Sequence, residues 1–381
     1  MTKRKILFFI TEDWYFHSHR LALARAARDA GYEVTVATAV NRHGDKIAAE
    51  GFSLAPLSLS RRSLNPFSEA MAIAEIVAIY KRVKPHVAHH VALKPVVYGS
   101  IAASLAGVPV TVNALAGLGH IFVAQGFKAS VTRTAIKTVL RLAMGRKKSC
   151  AIFQNPDDMN TFVSGKIVTP SQAELIMGSG VDTDVFTPPG KEPSGAPVVL
   201  LSSRMLATKG VYDFVEAARI LKSRGAAVRM ALAGSPDEHN PSSIAPSQLA
   251  EWNDEGVVEY WGQRDDMPDT LKKASIVALP SFYGEGVPKS LIEAASAARP
   301  IVAYNIAGCR EITRHGENGL LVPLRDVNAL AGAIEKLSTD PALRRKMGDA
   351  GRAAVIEKFS EKIVTQKTLA LYERKLAGAG L

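Results

Sequence analysis

Two cations and two carboxylates in the second half of the chain have the spacing of a site for a charged ligand. Arg204 and Lys209 stand in the run Ser202-Ser203-Arg204-Met205-Leu206-Ala207-Thr208-Lys209-Gly210, between an apolar run that reads as a buried strand and a helix beginning near Val211. Glu285 and Glu293, eight positions apart, stand in Tyr283-Gly284-Glu285-Gly286-Val287-Pro288-Lys289-Ser290-Leu291-Ile292-Glu293, again after a strand and across the opening of a helix. Loops at the carboxyl ends of strands are where α/β sheets hold ligands. Two cations at such a junction gather the charge of a diphosphate. The opening N–H groups of Val287, Lys289 and Ser290 add a helix N-terminus that suits the same anion, and Gly286 permits close backbone approach. Pro288, in the first turn, has no N–H to give. Single residues of these kinds are common in solvated loops and at ordinary helix starts. Two such motifs at equivalent strand ends of one domain argue for a site.

Residues 198–322, which carry both motifs, resemble the donor-binding domain of the retaining glycosyltransferases of family 4, whose signature is an arginine, a lysine and two glutamates eight apart. The resemblance implies a nucleotide-sugar substrate, expected to be a UDP-sugar, with no cofactor. It implies that Arg204 and Lys209 neutralise the donor diphosphate and its leaving-group charge, that Glu293 holds the ribose hydroxyls and Glu285 the sugar hydroxyls, and that Arg264, after Trp261-Gly262, touches the base. Arg204, Lys209 and Glu285 are the expected catalytic residues, with Arg264, Gly286, Val287, Lys289 and Glu293 completing the donor site. The family usually has Phe-Gly where this chain has Val287-Pro288, which removes one N–H from the phosphate contacts. Asp157-Asp158 and Asp265-Asp266 are not the Asp-x-Asp pair of metal-dependent transferases, and no trio has metal-ligand spacing, so no catalytic metal is expected.

In the first half, Ser60-Arg61-Arg62-Ser63-Leu64-Asn65-Pro66-Phe67 and Gly117-Leu118-Gly119-His120-Ile121-Phe122, with Gln125-Gly126-Phe127-Lys128, resemble a narrower subgroup acting on polyprenyl-diphosphate-linked sugars. The implied reaction moves an N-acetylhexosamine or a hexose onto a polyprenyl-diphosphate-linked saccharide in surface polysaccharide or glycan assembly. Gly117-Leu118-Gly119 could pass for a dinucleotide fingerprint, but Phe122 fills the third glycine position. It reads instead as a loop facing the cleft between two domains. His17, His19, Arg20, His89, His90, Lys94 and His120 lie at or just beyond presumed strand ends. The acceptor-side candidates are His17, Arg20, His90, Lys94, Gly117, Gly119 and His120, although histidines at strand ends also serve as hydrogen-bonded structural residues. Two other readings stay open: a nucleotide-sugar 2-epimerase of the same architecture, and a catalytically idle scaffold of a polysaccharide assembly complex. The first needs a carboxylate and histidine set around the sugar's second carbon, which is not visible. The four donor-site residues together speak against the second.

The elements that must position these groups follow an α/β rhythm. Apolar runs at 6–10, 34–38, 87–90 and 108–112 alternate with helical periods at 20–30, 66–83 and 96–105. The rhythm restarts at 198–202 and continues through 211–223, 229–233, 257–260, 276–279, 288–297, 301–304 and 319–322. Alternation of this kind predicts parallel sheets with crossover helices. The expected fold is α/β, two facing Rossmann-like domains of the GT-B type with an interdomain cleft. The N-terminal, acceptor-binding domain spans 1–180, and the C-terminal, nucleotide-sugar-binding domain spans 191–358. A terminal helix at 360–376 is expected to pack back on the first. Between the domains, 178–193 is rich in turn formers and reads as the connection.

A length of 381 residues is enough for two hydrophobic cores, and 47% hydrophobic with 22% charged residues is ordinary for a globular protein. Cys150 and Cys309 fall in different halves, which rules out a disulfide framework or a cysteine zinc site and fits a reducing cytoplasm. No apolar run approaches the roughly 18 residues that span a bilayer. The net charge of +11 is uneven: residues 1–150 hold 21 Lys plus Arg against 8 Asp plus Glu, and residues 151–381 hold 26 against 28. The basic segment 127–149 carries Lys128, Arg133, Lys137, Arg141, Arg146, Lys147 and Lys148 and no acidic residue. Such a segment suits an anionic membrane surface, so the protein is expected in the cytoplasm, peripheral on the inner face of the cell membrane. Without aromatic interleaving, nucleic acid is not an expected partner.

Overall fold

The computed structural model describes residues 3–59, 65–115, 117, 127–146, 148–238, 240–282 and 284–381; the side chains of Pro66 and of residues 127–135 are not described. The chain divides into two compact units, residues 1–179 with 361–381, and residues 180–360.

In the first unit the order is β1 (Lys5–Glu12), α1 (Asp13–His19), α2 (Leu21–Asp29), β2 (Glu33–Ala39), α3 (Gly44–Ala49), β3 (Ser53–Pro56), α4 (Pro66–Val83), β4 (Val87–Val91), α5 (Leu93–Ala106), β5 (Val110–Leu115), α6 (Phe127–Met144), β6 (Ser149–Phe153), α7 (Pro156–Ser164) and β7 (Ala173–Leu175), closed by the terminal helix, here α15 (Glu361–Ala377). Seven parallel strands lie in the order β3-β2-β1-β4-β5-β6-β7. The central strands β4 and β5 are buried along their whole length, as expected when helices cover both faces of a parallel sheet. Helix starts are marked locally: Asn65 and Asn155 each accept an N–H of the first turn, from Phe67 and Asp158, with proline next in line. One face of the sheet packs Ile6, Phe8, Val34 and Val110 against Leu23, Phe16 and the Leu371, Tyr372 and Leu376 of α15. The terminal helix is thus part of the first unit's core.

In the second unit the order is β8 (Val198–Ser202), α8 (Val211–Ser223), β9 (Arg229–Ala233), α9 (Pro246–Asp254), β10 (Glu259–Gly262), α10 (Met267–Lys273), β11 (Ile276–Leu279), α11 (Lys289–Ser296), β12 (Ile301–Tyr304), α12 (Ala307–Ile312), β13 (Gly319–Val322), α13 (Val327–Thr339) and α14 (Pro341–Lys358). Its six parallel strands run β10-β9-β8-β11-β12-β13. The stretch 180–190, expected as part of a link, is fastened to this unit: Ser296 and Arg352 donate to the Phe186 carbonyl at 2.8 and 3.1 Å, and Arg352 donates to the Thr183 carbonyl. The second unit therefore starts at Gly180 and not at 191.

In both sheets the chain builds outward from one strand, then returns to its other side. The reversal falls between β1 and β4 in the first unit and between β8 and β11 in the second, and the loops leaving such a pair diverge to leave a crevice for ligand.

Candidate functional site

Most of the second unit's expected residues stand on the segments that follow β8 and β11, the pair at which its strand order reverses; Arg264 follows β10. β8 ends at Ser202 and leads through a tight turn at Ala207–Lys209 into α8. Gly210 closes that turn at φ +76°, and a Cβ there would stand 2.0 Å from the Pro280 carbonyl oxygen. No other residue lets the two loops approach this closely. The approach is fastened by Phe282 N–H donating to the Thr208 carbonyl at 3.2 Å.

The result is that Lys209 Nζ pairs directly with Glu285 Oε1, across 76 positions of sequence. Ser281 Oγ adds a donation to the same carboxylate oxygen at 2.8 Å. Both side chains are largely shielded, 19% and 13% exposed, so the pair is strong yet still open to a ligand. Beneath it, Cys309 is fully buried, and burial together with the Glu285 charge pushes its thiol well above the ordinary range, leaving it a neutral packing group.

Arg204 is aimed by a different partner, Asp237, whose Oδ2 accepts from Nη1 at 2.6 Å. Lys289 and Glu293 face each other at 3.7 Å, one turn apart on α11. That helix opens one residue later than the sequence suggests: Pro288 is its N-cap, so Glu293 lies in the second turn. Pro288 offers no side-chain cap, and only Leu291 and Ile292 turn back onto its carbonyl. Gly286 and Val287 are buried beneath the loop, while Arg264 is held by Asp266 at 3.2 Å and Thr270 at 3.4 Å beyond β10. Tyr283 lies outside the described residues.

Three supporting residues were not read from the sequence. Asp237 lies four residues past β9, in a turn-like run, and its only sequence signal is an acid beyond a strand end. Ser281 follows Pro280 directly. Gly308 of α12 touches the carbonyl of Gly286, where a Cβ would stand 1.4 Å from the oxygen, so it props the glutamate loop from behind.

In the first unit the candidates separate. His17 and Arg20 follow β1, Lys94 follows β4, and Gly117 follows β5 at φ +104°; Gly119 and His120 lie outside the described residues. His17 is half-buried with its ring 4.9 Å from His43, and burial with the His43, Lys46 and Arg25 charges lowers its pKa. Lys94 reaches Glu69 of α4 at 2.9 Å, and Tyr98 donates to the same carboxylate. His90 is a core residue: it is 0% exposed, Nδ1 bonds Asn113 at 2.7 Å and Nε2 bonds the Tyr80 hydroxyl at 3.0 Å, so both ring nitrogens are already engaged. Alternation along β4 sends His89 to the other face, toward Tyr372 of α15.

Of the basic segment, Lys137 and Arg141 of α6 and Arg146 and Lys148 between α6 and β6 are among the described side chains, while Lys128, Arg133 and Lys147 fall outside them. Arg141 donates to the carbonyls of Gly165 and Lys166 at 2.9 and 2.8 Å, so it caps the end of α7. No helix of the described residues is long and apolar enough to cross a membrane.

Comparison with known proteins agrees with this division. Residues 5–155 match the family model described as glycosyl transferase 4-like, and residues 196–340 match that of glycosyl transferases group 1. The chain is 28% identical, over 93% of its length and 94% of the relative's, to N,N'-diacetylbacillosaminyl-diphospho-undecaprenol alpha-1,3-N-acetylgalactosaminyltransferase of Campylobacter jejuni. Sucrose-phosphate synthase of Thermosynechococcus elongatus shares its fold at TM-score 0.81 and 20% identity, over 99% of this chain and all of that one. Anabaena HepE in complex with UDP-glucose follows at TM-score 0.78 and 18% identity, over 97% and 99%. With two Rossmann-like units, each matched by its own model, the chain belongs to the glycosyltransferases of GT-B fold that pair a 4-like domain with a group 1 domain.

Proposed function

We propose that this glycosyltransferase is a retaining, metal-independent enzyme that moves an N-acetylhexosamine or hexose from a UDP-sugar to a polyprenyl-diphosphate-linked saccharide, at the cytoplasmic face of a membrane. The observation that carries the reading is the cation and carboxylate pair Lys209–Glu285 at the β8/β11 reversal, flanked by Arg204.

A departing nucleoside diphosphate develops negative charge, and Lys209 and Arg204 stand at the loop where that charge would collect. Preorganised cations stabilise such a transition state without reorganising at the moment of reaction. They do the work a divalent ion does elsewhere. Glu285 already accepts from Lys209 and Ser281 on one oxygen, which suits it to hold a sugar hydroxyl on the other better than to attack the anomeric carbon. Retention by attack and departure on one face needs no enzymic nucleophile. Glu293, one helical turn beyond Lys289, fits the ribose. The likeness to a relative named for alpha-1,3 transfer to a diphospho-undecaprenol sugar, and to a fold neighbour holding UDP-glucose, supports the donor and acceptor classes.

The test is mass spectrometry after incubation with a panel of nucleotide sugars and short polyprenyl-diphosphate-linked saccharides, with the anomeric configuration of the product read by NMR. An alpha product from an alpha-linked UDP-sugar is expected. A beta product, or transfer only from a non-uridine donor, would overturn the mechanism or the donor.

A further inference from the structure

The first unit contains a buried cation with no counter-charge. Arg20 sits at the junction of α1 and α2 and is 6% exposed. Its Nη1 donates to the His19 carbonyl at 2.9 Å, but its Nε has no acceptor, and no described carboxylate comes within ion-pair distance of it. A guanidinium keeps its proton at any working pH, so it cannot relieve this by neutralising. Burying an unpaired charge is strongly unfavourable unless something compensates it.

His89 meets the same recess from β4. It is 1% exposed, its Nδ1 is bonded to the Tyr372 hydroxyl, and its Nε2 has no partner. Burial, with the Arg20 charge beside it, holds the imidazole well below its usual range, so the ring is neutral. Burial likewise keeps the Tyr372 phenol protonated. The hydroxyl is therefore the donor to Nδ1, and the ring proton resides on Nε2. Both orphan atoms are thus N–H donors, and the residues that carry them, Arg20 and His89, border one cavity of about 20 Å³, together with Gln154, Gly178, Ser179 and Thr368. That volume holds a single oxygen atom. The cavity lies beside the β1/β4 reversal, where a ligand of this sheet would bind.

We propose that Arg20 Nε and His89 Nε2 seat one phosphate oxygen of the acceptor's diphosphate. The proposal rests on the reading that the acceptor is a lipid-linked diphosphate sugar. A water would satisfy the two donors but leave the charge of Arg20 uncompensated, whereas an anionic oxygen satisfies both. The position also separates the functions of the units, with one diphosphate held by Arg20 in the first and the other by Arg204 and Lys209 in the second.

The experiment uses inorganic pyrophosphate as probe, with the donor site saturated by UDP so that only a second anion site reports. Calorimetry on the full chain should show binding, and in initial-rate kinetics at saturating donor, pyrophosphate should compete with the acceptor. Arg20→Gln should weaken pyrophosphate and raise the acceptor KM roughly tenfold or more, the effect of losing one charge-assisted contact, with donor KM unchanged. Arg20→Lys, which keeps the charge and guards against a folding failure of the first variant, should lose less. Pyrophosphate that binds without competing against acceptor, or binds Arg20→Gln and parent alike, overturns the proposal, as does a parent that binds none, in which case the recess holds only water. Should the parent bind pyrophosphate through Arg20 yet transfer to no lipid-linked diphosphate, the seat stands as an anion site and the acceptor reading falls instead.

Discussion

The carbonyl oxygen of Gly286 stands 1.4 Å from the place a Cβ on Gly308 would occupy, so the loop that presents Glu285 rests directly on the backbone of α12. A methyl group at 308 must push the loop away, because the obstacle is backbone and cannot rotate aside. Gly308→Ala should therefore raise the donor KM and lower kcat by tenfold or more, roughly the consequence of a misplacement near 1 Å. Gly332→Ala on α13, where a Cβ meets nothing within 4 Å, is the control, and should leave turnover alone while adding about 0.5–1 kcal/mol of helix stability. Equal turnover in the two variants would contradict the support role of Gly308.

Removing either member of the Lys209–Glu285 pair should cut transfer severely and leave the fold in place, since both side chains belong to loops and not to a hydrophobic core. Lys209→Ala and Glu285→Gln are each expected to cost about 10²–10³ in kcat, the scale for losing one preorganised electrostatic contact. Because the two act through one contact, the double variant should cost much less than the product of the singles. Strict additivity would show that the pair is not functionally coupled.

The strands that carry this site were legible because parallel strands covered on both faces are continuous apolar runs, as at 198–202 and 276–279. The short edge strands β3 and β7, four and three residues long, were not, since neither is long enough to set a period. Helix α1 was hidden for a similar reason: its seven residues include two histidines and three aromatics, a composition as compatible with a loop. Within the site, the residue types and loop positions of Arg204, Lys209, Glu285 and Glu293 could be read from motif spacing, but their partners could not. Asp237 and Gly308 reach them only through tertiary contacts from other strand ends. The burial of His90, with both ring nitrogens bonded, could not be read either, because a histidine inside a strand and one at its end look alike in sequence.

Transfer should persist in excess chelator, because Arg204 and Lys209 supply the positive charge a leaving diphosphate needs. The measurement is initial rate in EDTA against added magnesium or manganese. Activity that disappears with chelator and returns with either ion would contradict it.

Stability should fall on mild acidification through His90. Burial pushes its imidazole down to about 4 from 6.5. Below pH 6.5 the unfolded chain takes up this proton while the folded chain does not until pH nears 4, so the contribution is whole above 6.5 and drains away between those values. The full loss is roughly 3 kcal/mol, at about 1.4 kcal/mol per unit. His89 is shifted in the same direction and adds to the trend. Urea unfolding across this window should show parent stability declining more steeply than that of His90→Gln, by about one proton. Parallel curves would mean His90 does not titrate between the two states.

Membrane attachment should depend on α6 and its neighbour. Leu105 of α5 and Val139 and Leu142 of α6 are 64%, 44% and 78% exposed and border one groove, together with Arg146. Apolar side chains amid cations suit an anionic leaflet, where each exposed Lys or Arg contributes roughly 1 kcal/mol. Replacing Arg133, Lys137, Arg141, Lys147 and Lys148 with glutamine should weaken binding to anionic vesicles and raise the apparent KM for lipid-linked acceptor, with donor binding unaffected. Since Arg141 also caps α7, a second variant that keeps it is needed to separate charge from stability. High salt should mimic both variants, because exposed charges are screened beyond about 8 Å at physiological ionic strength and more closely above it. Leu142→Ser should weaken binding in a way that salt does not reproduce. If vesicle flotation at low salt is the same for all of these and the parent, α6 is a solvated basic helix and the attachment lies elsewhere.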